Sequence, residues 1–287
     1  MSSHLTAILW VLLSTFIWTL IFAAAKFVDG GVGVFQLTLL RYLGGVATLL
    51  FIVHRAGGLR AHRSTQPARH FIRTVAGSGG AVAITWASAN MPLVDATAIG
   101  LSFGVLATLL GAIILKETVS GRHWIAIFVS LIGVAIIMSG KGAFQGGVVV
   151  VPAVIALIGA VLFAVEGLLI SVLGRSEPAL TVMLYVTIFG ILLMLGPAIL
   201  EWRDASVWVI VFCVALGPLG IAGQYCTIAG YRSAPLSVVA PVDYSWLLFS
   251  ALLGALAFDE VPNVATWVGG LAIIAGGIIL VRTDRLR

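Results

Sequence analysis

The chain has 287 residues, of which 61% are hydrophobic and only 9% carry a formal charge. A soluble globular domain usually has about 25% charged residues. This composition, with a mean hydropathy of +1.15, excludes a soluble protein, a disordered chain and a disulfide-stapled secreted one. The two cysteines, Cys213 and Cys226, lie in one apolar run, too far apart on a helix for a disulfide, and the sequence has no metal-ligand spacing. The composition therefore indicates an integral membrane protein.

Ten apolar runs are long enough to cross a bilayer as helices, which takes about 20 residues each. They lack the alternating hydropathy of β-barrel strands. The first run resembles a signal peptide in position, but it has no basic segment before it and another span follows at once, so we interpret it as a mature helix. The predicted spans are Leu5–Ala25, Val34–Val53, Phe71–Asn90, Leu93–Leu115, Trp124–Gly140, Val148–Leu173, Leu180–Leu200, Ser206–Tyr231, Leu236–Ala257 and Val264–Val281.

The loop arginines and lysines predict the orientation of these spans, because cytoplasmic loops are enriched in both residues. If the N-terminus is cytoplasmic, twelve basic residues fall on the cytoplasmic side and three outside. We therefore expect both termini in the cytoplasm, and the net charge of +5 needs no nucleic-acid partner. The twelve are Arg55, Arg60, Arg63, Arg69, Arg73, Lys116, Arg122, Arg175, Arg232, Arg282, Arg285 and Arg287, and the three are Lys26, Lys141 and Arg203.

An internal repeat is the most informative pattern in the sequence. An offset of 143 residues superposes five pairs: Pro92 on Pro235, Gly111 on Gly254, Glu117 on Glu260, Trp124 on Trp267 and Gly133 on Gly276. The repeat unit has five spans, an odd number, so the second copy is inverted in the membrane. The predicted fold is an all-α integral membrane protein of ten transmembrane helices, with one five-helix repeat in residues 1–143 and its inverted copy in 144–287. Inverted repeats are typical of alternating-access carriers, which hold their substrate near the bilayer midplane.

Residues 91–137 and 238–280, together with Leu40-Arg41-Tyr42 in the second span, resemble the two EamA repeats of the drug/metabolite transporter superfamily. The chain looks most like the YddG-type aromatic amino acid exporters, although riboflavin and S-adenosylmethionine carriers share these motifs. The resemblance implies ten helices, cytoplasmic termini, a bacterial inner membrane and movement of small metabolites. One departure is Gly104, since many relatives have a proline in the fourth span at this point; the position can still flex without a forced kink.

Four ionisable residues lie at membrane depth in the predicted spans, where each costs at least about 2.5–3.5 kcal/mol: Arg41, Asp95, Glu166 and Asp243. The guanidinium of Arg41 suits a carboxylate or phosphate, or it forms an ion pair with Asp243 or Glu166 that joins helices. Asp243 and Glu166 could instead bind a proton or a substrate amine. Asp95 suits a structural role in the first turn of a helix, three residues after Pro92.

Aromatic residues deep in the spans offer either packing contacts or stacking surfaces for a flat substrate. With the ionisable groups and two neutral polar residues, they complete the predicted substrate-binding set: Trp18, Arg41, Tyr42, Trp86, Asn90, Glu166, Gln224, Tyr225, Asp243, Tyr244 and Trp246. Candidate hinges are Gly104, Gly217, Pro218 and Pro241, whereas Gly77–Gly80 favours close helix packing.

The spans lack the residues that an enzyme or an ATP-driven pump requires. No histidine lies in a span core, and the sequence has no Asp-x-x-Asp pattern, His-x-x-x-His pattern or Walker loop. A channel is disfavoured because no filter-like sequence repeats. The sequence predicts a monomeric exporter of aromatic and other amino acids, without cofactor or metal. The alternatives are an importer of a larger metabolite such as riboflavin or S-adenosylmethionine, or a multidrug exporter.

Overall fold

The computed structural model describes residues 3–28, 30–106, 110, 121–140, 150–233 and 242–284. Within these ranges the chain forms ten α-helices and one short 3-10 helix, Leu59–His62, which confirms the predicted all-α fold. The helices are α1 (Ser3–Phe27), α2 (Val34–Arg55), α3 (Pro67–Asn90), α4 (Leu93–Gly100), α5 (Gly121–Gly140), α6 (Val150–Ser176), α7 (Ala179–Leu200), α8 (Val207–Ser233), α9 (Ser245–Phe258) and α10 (Val264–Asp284).

The helices differ in how well they suit a bilayer. By length and composition, α1, α2, α6, α7 and α8 are long and apolar enough to cross a membrane, and α4, α5, α9 and α10 contain shorter apolar helices in the described ranges. Helix α3 is less apolar because glycines and hydroxyl residues fill its middle. Half of its 24 residues are buried, so neighbouring helices rather than lipid cover this polar surface.

The helix contacts follow the predicted repeat. Helix α3 packs along α6, and α1 packs along α8, so each pair consists of the first helix of one half and the third helix of the other. Helices α2 and α7 pack on each other, as do α5 and α10. A two-fold relation between duplicated halves explains why each of these contacts has an equivalent with the halves exchanged. The boundary between the halves at residue 143 stays a prediction.

Glycines allow the closest helix crossings. A Cβ atom on Gly133 of α5 would lie 2.5 Å from the carbonyl oxygen of Gly269 on α10, and a Cβ on Gly269 would lie 2.5 Å from that of Gly133. Helices α2 and α8 cross in the same way, where Gly44 faces the backbone of Val214. Small residues at such crossings let membrane helices approach closely, so that van der Waals contact and weak hydrogen bonds hold them together.

The end of the bundle where α1 stops, which we name the Lys26 end, carries contacts between the two halves. Lys26 forms an ion pair with Glu260, in the segment between α9 and α10. The same carboxylate accepts a hydrogen bond from the backbone N–H of Leu93 at 2.8 Å, at the start of α4. Glu201, after α7, accepts the N–H of Phe35 at 2.6 Å. Carboxylates thus bind the positive N-termini of α2 and α4.

Candidate functional site

Four aromatic rings meet between the two halves and form what we call the aromatic cluster: Trp18 and Phe22 of α1, Phe163 of α6 and Trp246 of α9. Phe22 lies at its centre, with ring centroids 5.8 Å from Trp18, 6.2 Å from Phe163 and 5.3 Å from Trp246. Phe22 is 4% exposed and Trp246 is 7% exposed, whereas Trp18 and Phe163 are partly buried. The sequence predicted Trp18 and Trp246 for the site, but it gave no reason to select the two phenylalanines.

The two indole N–H groups of the aromatic cluster differ in their hydrogen bonding. Trp18 donates to the hydroxyl of Thr227 at 3.3 Å, and this hydroxyl lies 2.6 Å from that of Ser14. The N–H of Trp246 is buried and has no hydrogen-bond partner among the described residues. Leaving a buried donor unpaired costs about 1–3 kcal/mol. Trp246 therefore offers a donor that a bound molecule could use.

A buried ion pair joins α3 to α6 on the side of the aromatic cluster away from the Lys26 end. Nη2 of Arg73 lies 3.1 Å from Oε1 of Glu166. The Arg73 side chain is fully buried, and its Nε and Nη1 atoms have no hydrogen-bond partner within the described chain. The Glu166 side chain retains 16% exposure. The pair corrects one expectation, because Glu166 does not pair with Arg41. The sequence counted Arg73 among the basic residues of the cytoplasmic side, and the structure places it inside α3, which begins at Pro67.

Glycines of α3 bring the ion pair and the aromatic cluster together along what we call the α3–α6 seam. A Cβ on Gly77 would lie 2.5 Å from Cδ of Glu166, and one on Gly80 would lie 2.7 Å from Cδ1 of Phe163. Residues three apart on a helix are neighbours, about 5–6 Å between their Cβ atoms. The carboxylate of Glu166 and the ring of Phe163 therefore occupy adjacent positions on one helix face.

Arg41 is buried, at 7% exposure, and its guanidinium lies 4.9 Å from the centre of the Tyr42 ring. It forms no hydrogen bond or ion pair with any residue in the described ranges. A Cβ atom added to Gly220 of α8 would lie 3.4 Å from Nη1 of Arg41 and 3.8 Å from Cδ1 of Ile21 on α1. Neither ion pair proposed from the sequence is found, so Arg41 is a candidate for binding an anion.

Two predicted tyrosines pack against glycines of neighbouring helices. The Tyr42 hydroxyl lies 2.7 Å from that of Ser78 on α3, and its ring would be 2.6 Å from a Cβ on Gly190 of α7. Tyr244 lies directly against Gly277 of α10. Both rings therefore hold helices in register, which is sufficient to explain their presence.

The remaining predicted residues are more dispersed. Trp86, Gln224 and Asp243 are partly buried, and the exposed Asn90 donates to the carbonyl of Trp86 at 2.8 Å. Tyr225 is 50% exposed and continues a stripe of exposed apolar residues on α8 that includes Val211 and Phe212. This stripe suits lipid contact, so we leave Tyr225 out of the site.

The candidate hinges also have distinct surroundings. No atom of the described residues lies within 4 Å of a Cβ on Gly104, whereas Gly217 packs against Gly44 and Gly45 of α2. Helix α8 continues through Pro218 without a break. Pro241 lies outside the described residues. Close packing is thus sufficient to explain Gly217.

At the opposite end of the bundle, which we name the His70 end, a second group of contacts joins the halves. Nε2 of the fully buried His70 lies 2.8 Å from Oε2 of Glu177, just after α6. Ser64 donates its hydroxyl proton to the same carboxylate, and Tyr185 stacks on the His70 ring at 4.9 Å. Burial acts to raise the pKa of Glu177, but hydrogen bonds from Ser64 and His70, the charge of His70 and the backbone of Thr65 outweigh it and lower that pKa.

Comparison with known proteins identifies the family to which this architecture belongs. Residues 5–139 and 151–282 match the EamA-like transporter family. The chain belongs to this family. The family model matches two successive segments of the chain, which indicates duplicated halves. The family match and the similarity to known transporters show that the EamA-like protein is a multi-pass membrane transporter of small metabolites rather than an enzyme.

Several transporters of known substrate are similar to this EamA-like protein at low identity. An S-adenosylmethionine uptake transporter of Rickettsia prowazekii (strain Madrid E) is 21% identical over 287 residues, covering 99% of this chain and 95% of that protein. The riboflavin transporter of Vibrio cholerae is 24% identical over 277 residues, covering 93% and 89%. The pseudopaline exporter CntI of Pseudomonas aeruginosa is 25% identical over 243 residues, covering 83% and 82%. A solved crystal structure with a TM-score of 0.67 and 23% identity covers 98% of this chain and 97% of that one, which shows a shared fold.

Proposed function

We propose that this EamA-like transporter exports aromatic and other larger amino acids across a bacterial inner membrane by alternating access. The aromatic cluster is the observation that carries the proposal. Its four rings come from α1, α6 and α9, so both repeats contribute to it. Aromatic faces bind flat apolar groups by stacking, and the unpaired N–H of Trp246 would add one directional contact.

The charged ends of an amino acid need partners at membrane depth, since an unpaired charge there is costly. The sequence assigned the carboxylate to Arg41 and the amine to Asp243 or Glu166. Arg41 is one candidate for the carboxylate, because it is buried without an ion-pair partner in the described part of the chain. Glu166 is already paired with Arg73, so any role in binding requires that pair to open.

The two ends of the bundle support an alternating-access cycle. Lys26–Glu260 and His70–Glu177 join the halves at opposite ends, and access to either side requires the contacts at that side to break. The arginine distribution supports a cytoplasmic His70 end and an external Lys26 end.

S-adenosylmethionine is a second candidate substrate, because the uptake transporter of that molecule aligns over 99% of this chain. It carries an amino acid group and a flat purine, and both would find partners in the same region. Riboflavin has the flat ring without the amino acid group. The relatives include uptake transporters and an exporter, so the direction of transport rests on the resemblance to amino acid exporters.

Counterflow in proteoliposomes tests the proposal directly. Vesicles loaded with unlabelled phenylalanine should take up labelled phenylalanine, and external tryptophan should compete strongly and threonine weakly. The rate should saturate with substrate, as a carrier requires and an open channel does not. Counterflow of riboflavin or S-adenosylmethionine with no competition from phenylalanine would overturn the amino acid assignment. Empty vesicles and vesicles carrying Arg41→Gln serve as controls for leakage and for an anion site.

A further inference from the structure

We propose that the Arg73–Glu166 pair is the binding site for the charged group of an α-amino acid, with the carboxylate on Arg73 and the ammonium group on Glu166. This inference rests on the proposed function and names the residues that select the substrate class. In the structure the two side chains bind each other at 3.1 Å. A zwitterion carries one charge of each sign, so it can insert between them and leave every charge paired.

Charge balance favours this exchange over binding to a single residue. Separating a buried ion pair without replacement leaves two unpaired charges, which a membrane interior disfavours strongly. An inserted amino acid replaces both partners at once and adds no net charge. A cation or an anion alone would satisfy only one of the two residues, so the site discriminates against molecules that carry a single charge.

The unused donors of Arg73 indicate how the carboxylate would bind. Only Nη2 contacts Glu166, while Nε and Nη1 are buried without partners among the described residues. A guanidinium binds a carboxylate best through two parallel N–H groups. The Nε and Nη2 edge offers such a pair once Glu166 moves aside. The present contact with Glu166 therefore satisfies Arg73 only in part.

The position of the pair links the charged group to the aromatic cluster. Glu166 lies three residues from Phe163 on α6, and both lie against glycines of α3 at Gly77 and Gly80. An amino acid bound at the pair therefore places its side chain toward Phe163 and Phe22. Arg41 instead lies near Gly220 on α8, so it faces a different part of the interior.

The pair also joins the two halves, so its occupancy affects their packing. Arg73 belongs to the first repeat and Glu166 to the second. The other two ion pairs among the described residues lie at the Lys26 end and the His70 end. His70, one turn from Arg73 on α3, is bound to Glu177. Within the described ranges, Arg73–Glu166 is the one ion pair that joins the halves at membrane depth. A bound zwitterion would replace that direct contact.

Binding of labelled phenylalanine to the purified full-length protein tests this assignment, with two competitors that each lack one charge. Phenethylamine lacks the carboxylate, and 3-phenylpropionate lacks the amine. The variants are Arg73→Gln, Glu166→Gln and the double neutral variant. The double variant leaves no unpaired buried charge, so it should fold even where a lone charge prevents folding of a single variant. Arg69→Gln is the matched control, because Arg69 lies one turn earlier on α3 and is exposed.

In the wild-type protein, phenylalanine should compete at least about tenfold better than either analogue. Arg73→Gln should weaken the binding of phenylalanine and 3-phenylpropionate by about tenfold or more. It should leave the binding of phenethylamine unchanged or stronger, because Glu166 no longer has to leave a partner, and Glu166→Gln should do the converse. The double variant should bind phenylalanine no better than the analogues, while Arg69→Gln binds like wild type. A folded double variant that binds phenylalanine within about twofold of wild type would overturn the assignment. Failure of the wild-type protein itself to bind phenylalanine would instead refute the proposed function, and this inference with it.

Discussion

The Ser130 hydroxyl donates to the carbonyl of Ile273 at 3.4 Å, and these two residues are 143 positions apart. The same offset superposes Glu117 on Glu260 in the sequence. Two residues that are equivalent in a repeat and also touch each other must lie near the axis that exchanges the two copies. The crossing of α5 and α10 therefore marks where the axis between the halves passes.

An in-plane axis of this kind predicts that the Lys26 end and the His70 end face opposite sides of the membrane. Asp204 and Val261 are exposed at the Lys26 end, and Arg69 is exposed at the other. With an impermeant thiol reagent on intact cells, Asp204→Cys and Val261→Cys should be labelled, and Arg69→Cys should be labelled only after the cells are opened. The native Cys213 and Cys226 are buried, which keeps the background low. Labelling of all three in intact cells would contradict the predicted orientation.

Two candidate hinges, Gly217 and Gly104, differ in how much space surrounds them. Alanine at Gly217 places its Cβ 2.5 Å from the carbonyl oxygen of Arg41 and against Gly44 and Gly45. Overpacking of this kind costs about 1–3 kcal/mol, so Gly217→Ala should lower the unfolding temperature in detergent. Gly104→Ala is the matched control, because no atom of the described residues lies within 4 Å of its Cβ position. Equal unfolding temperatures for both variants would show that Gly217 is not a packing residue.

The pKa of Glu177 gives a prediction for stability against pH. Because folding lowers this pKa from its ordinary value of 4.5, the stabilisation is complete above that value and is lost as the pH falls through the lowered pKa. Glu177→Gln should therefore destabilise the protein near neutral pH, since hydrogen bonds to a charged group contribute about 1.5–3 kcal/mol. The difference from wild type should shrink on acidification below 4.5.

Thermal unfolding at several pH values measures this difference. Asp204→Asn is the control, because Asp204 is exposed and its neutralisation should leave the unfolding temperature unchanged across the series. A Glu177→Gln variant whose deficit stays constant down to the lowest pH would show that the carboxylate charge is not what stabilises the His70 end.

Hydropathy was enough to predict the fold, because a helix in lipid must satisfy its own backbone and therefore leaves a long apolar run. The predicted span Val34–Val53 and helix α2, Val34–Arg55, differ by two residues. The predicted start of α3 is four residues late. The apolar run begins at Phe71, whereas the helix begins with the more polar residues from Pro67. Proline at a helix start is a usual signal, and it would have placed the start of the helix at Pro67.

The site was predicted less completely than the fold. The sequence selected Trp18, Trp246, Arg41 and Glu166, because a polar N–H or a charge at membrane depth is costly and therefore indicates a function. Phenylalanine carries no polar atom, so nothing distinguished Phe22 or Phe163 from ordinary apolar residues. The partner of Glu166 depends on how the two repeats pack, which a single sequence does not specify.

The central ring of the aromatic cluster should contribute more to substrate binding than any ring at the lipid surface. Phe22 contacts Trp18, Phe163 and Trp246, so its loss would let the three rings that surround it shift. Phe22→Ala should therefore reduce phenylalanine counterflow by roughly tenfold or more. Phe16→Ala is the matched control on α1, because Phe16 is exposed and meets Phe249 edge-on at 5.5 Å. A similar loss in both variants would indicate a general effect on folding.

Replacing Trp246 with phenylalanine separates stability from binding. The substitution keeps an aromatic ring near Phe22 and removes the buried N–H that has no partner in the described chain. Because an unpaired buried donor costs about 1–3 kcal/mol, Trp246→Phe should unfold at the same temperature as wild type or higher. If the N–H donates to bound substrate, phenylalanine affinity should nevertheless fall by about tenfold. Trp18→Phe provides the contrast, since it breaks the hydrogen bond to Thr227 and should lower the unfolding temperature. Unchanged affinity in Trp246→Phe would exclude the N–H from binding and leave the ring as a stacking surface.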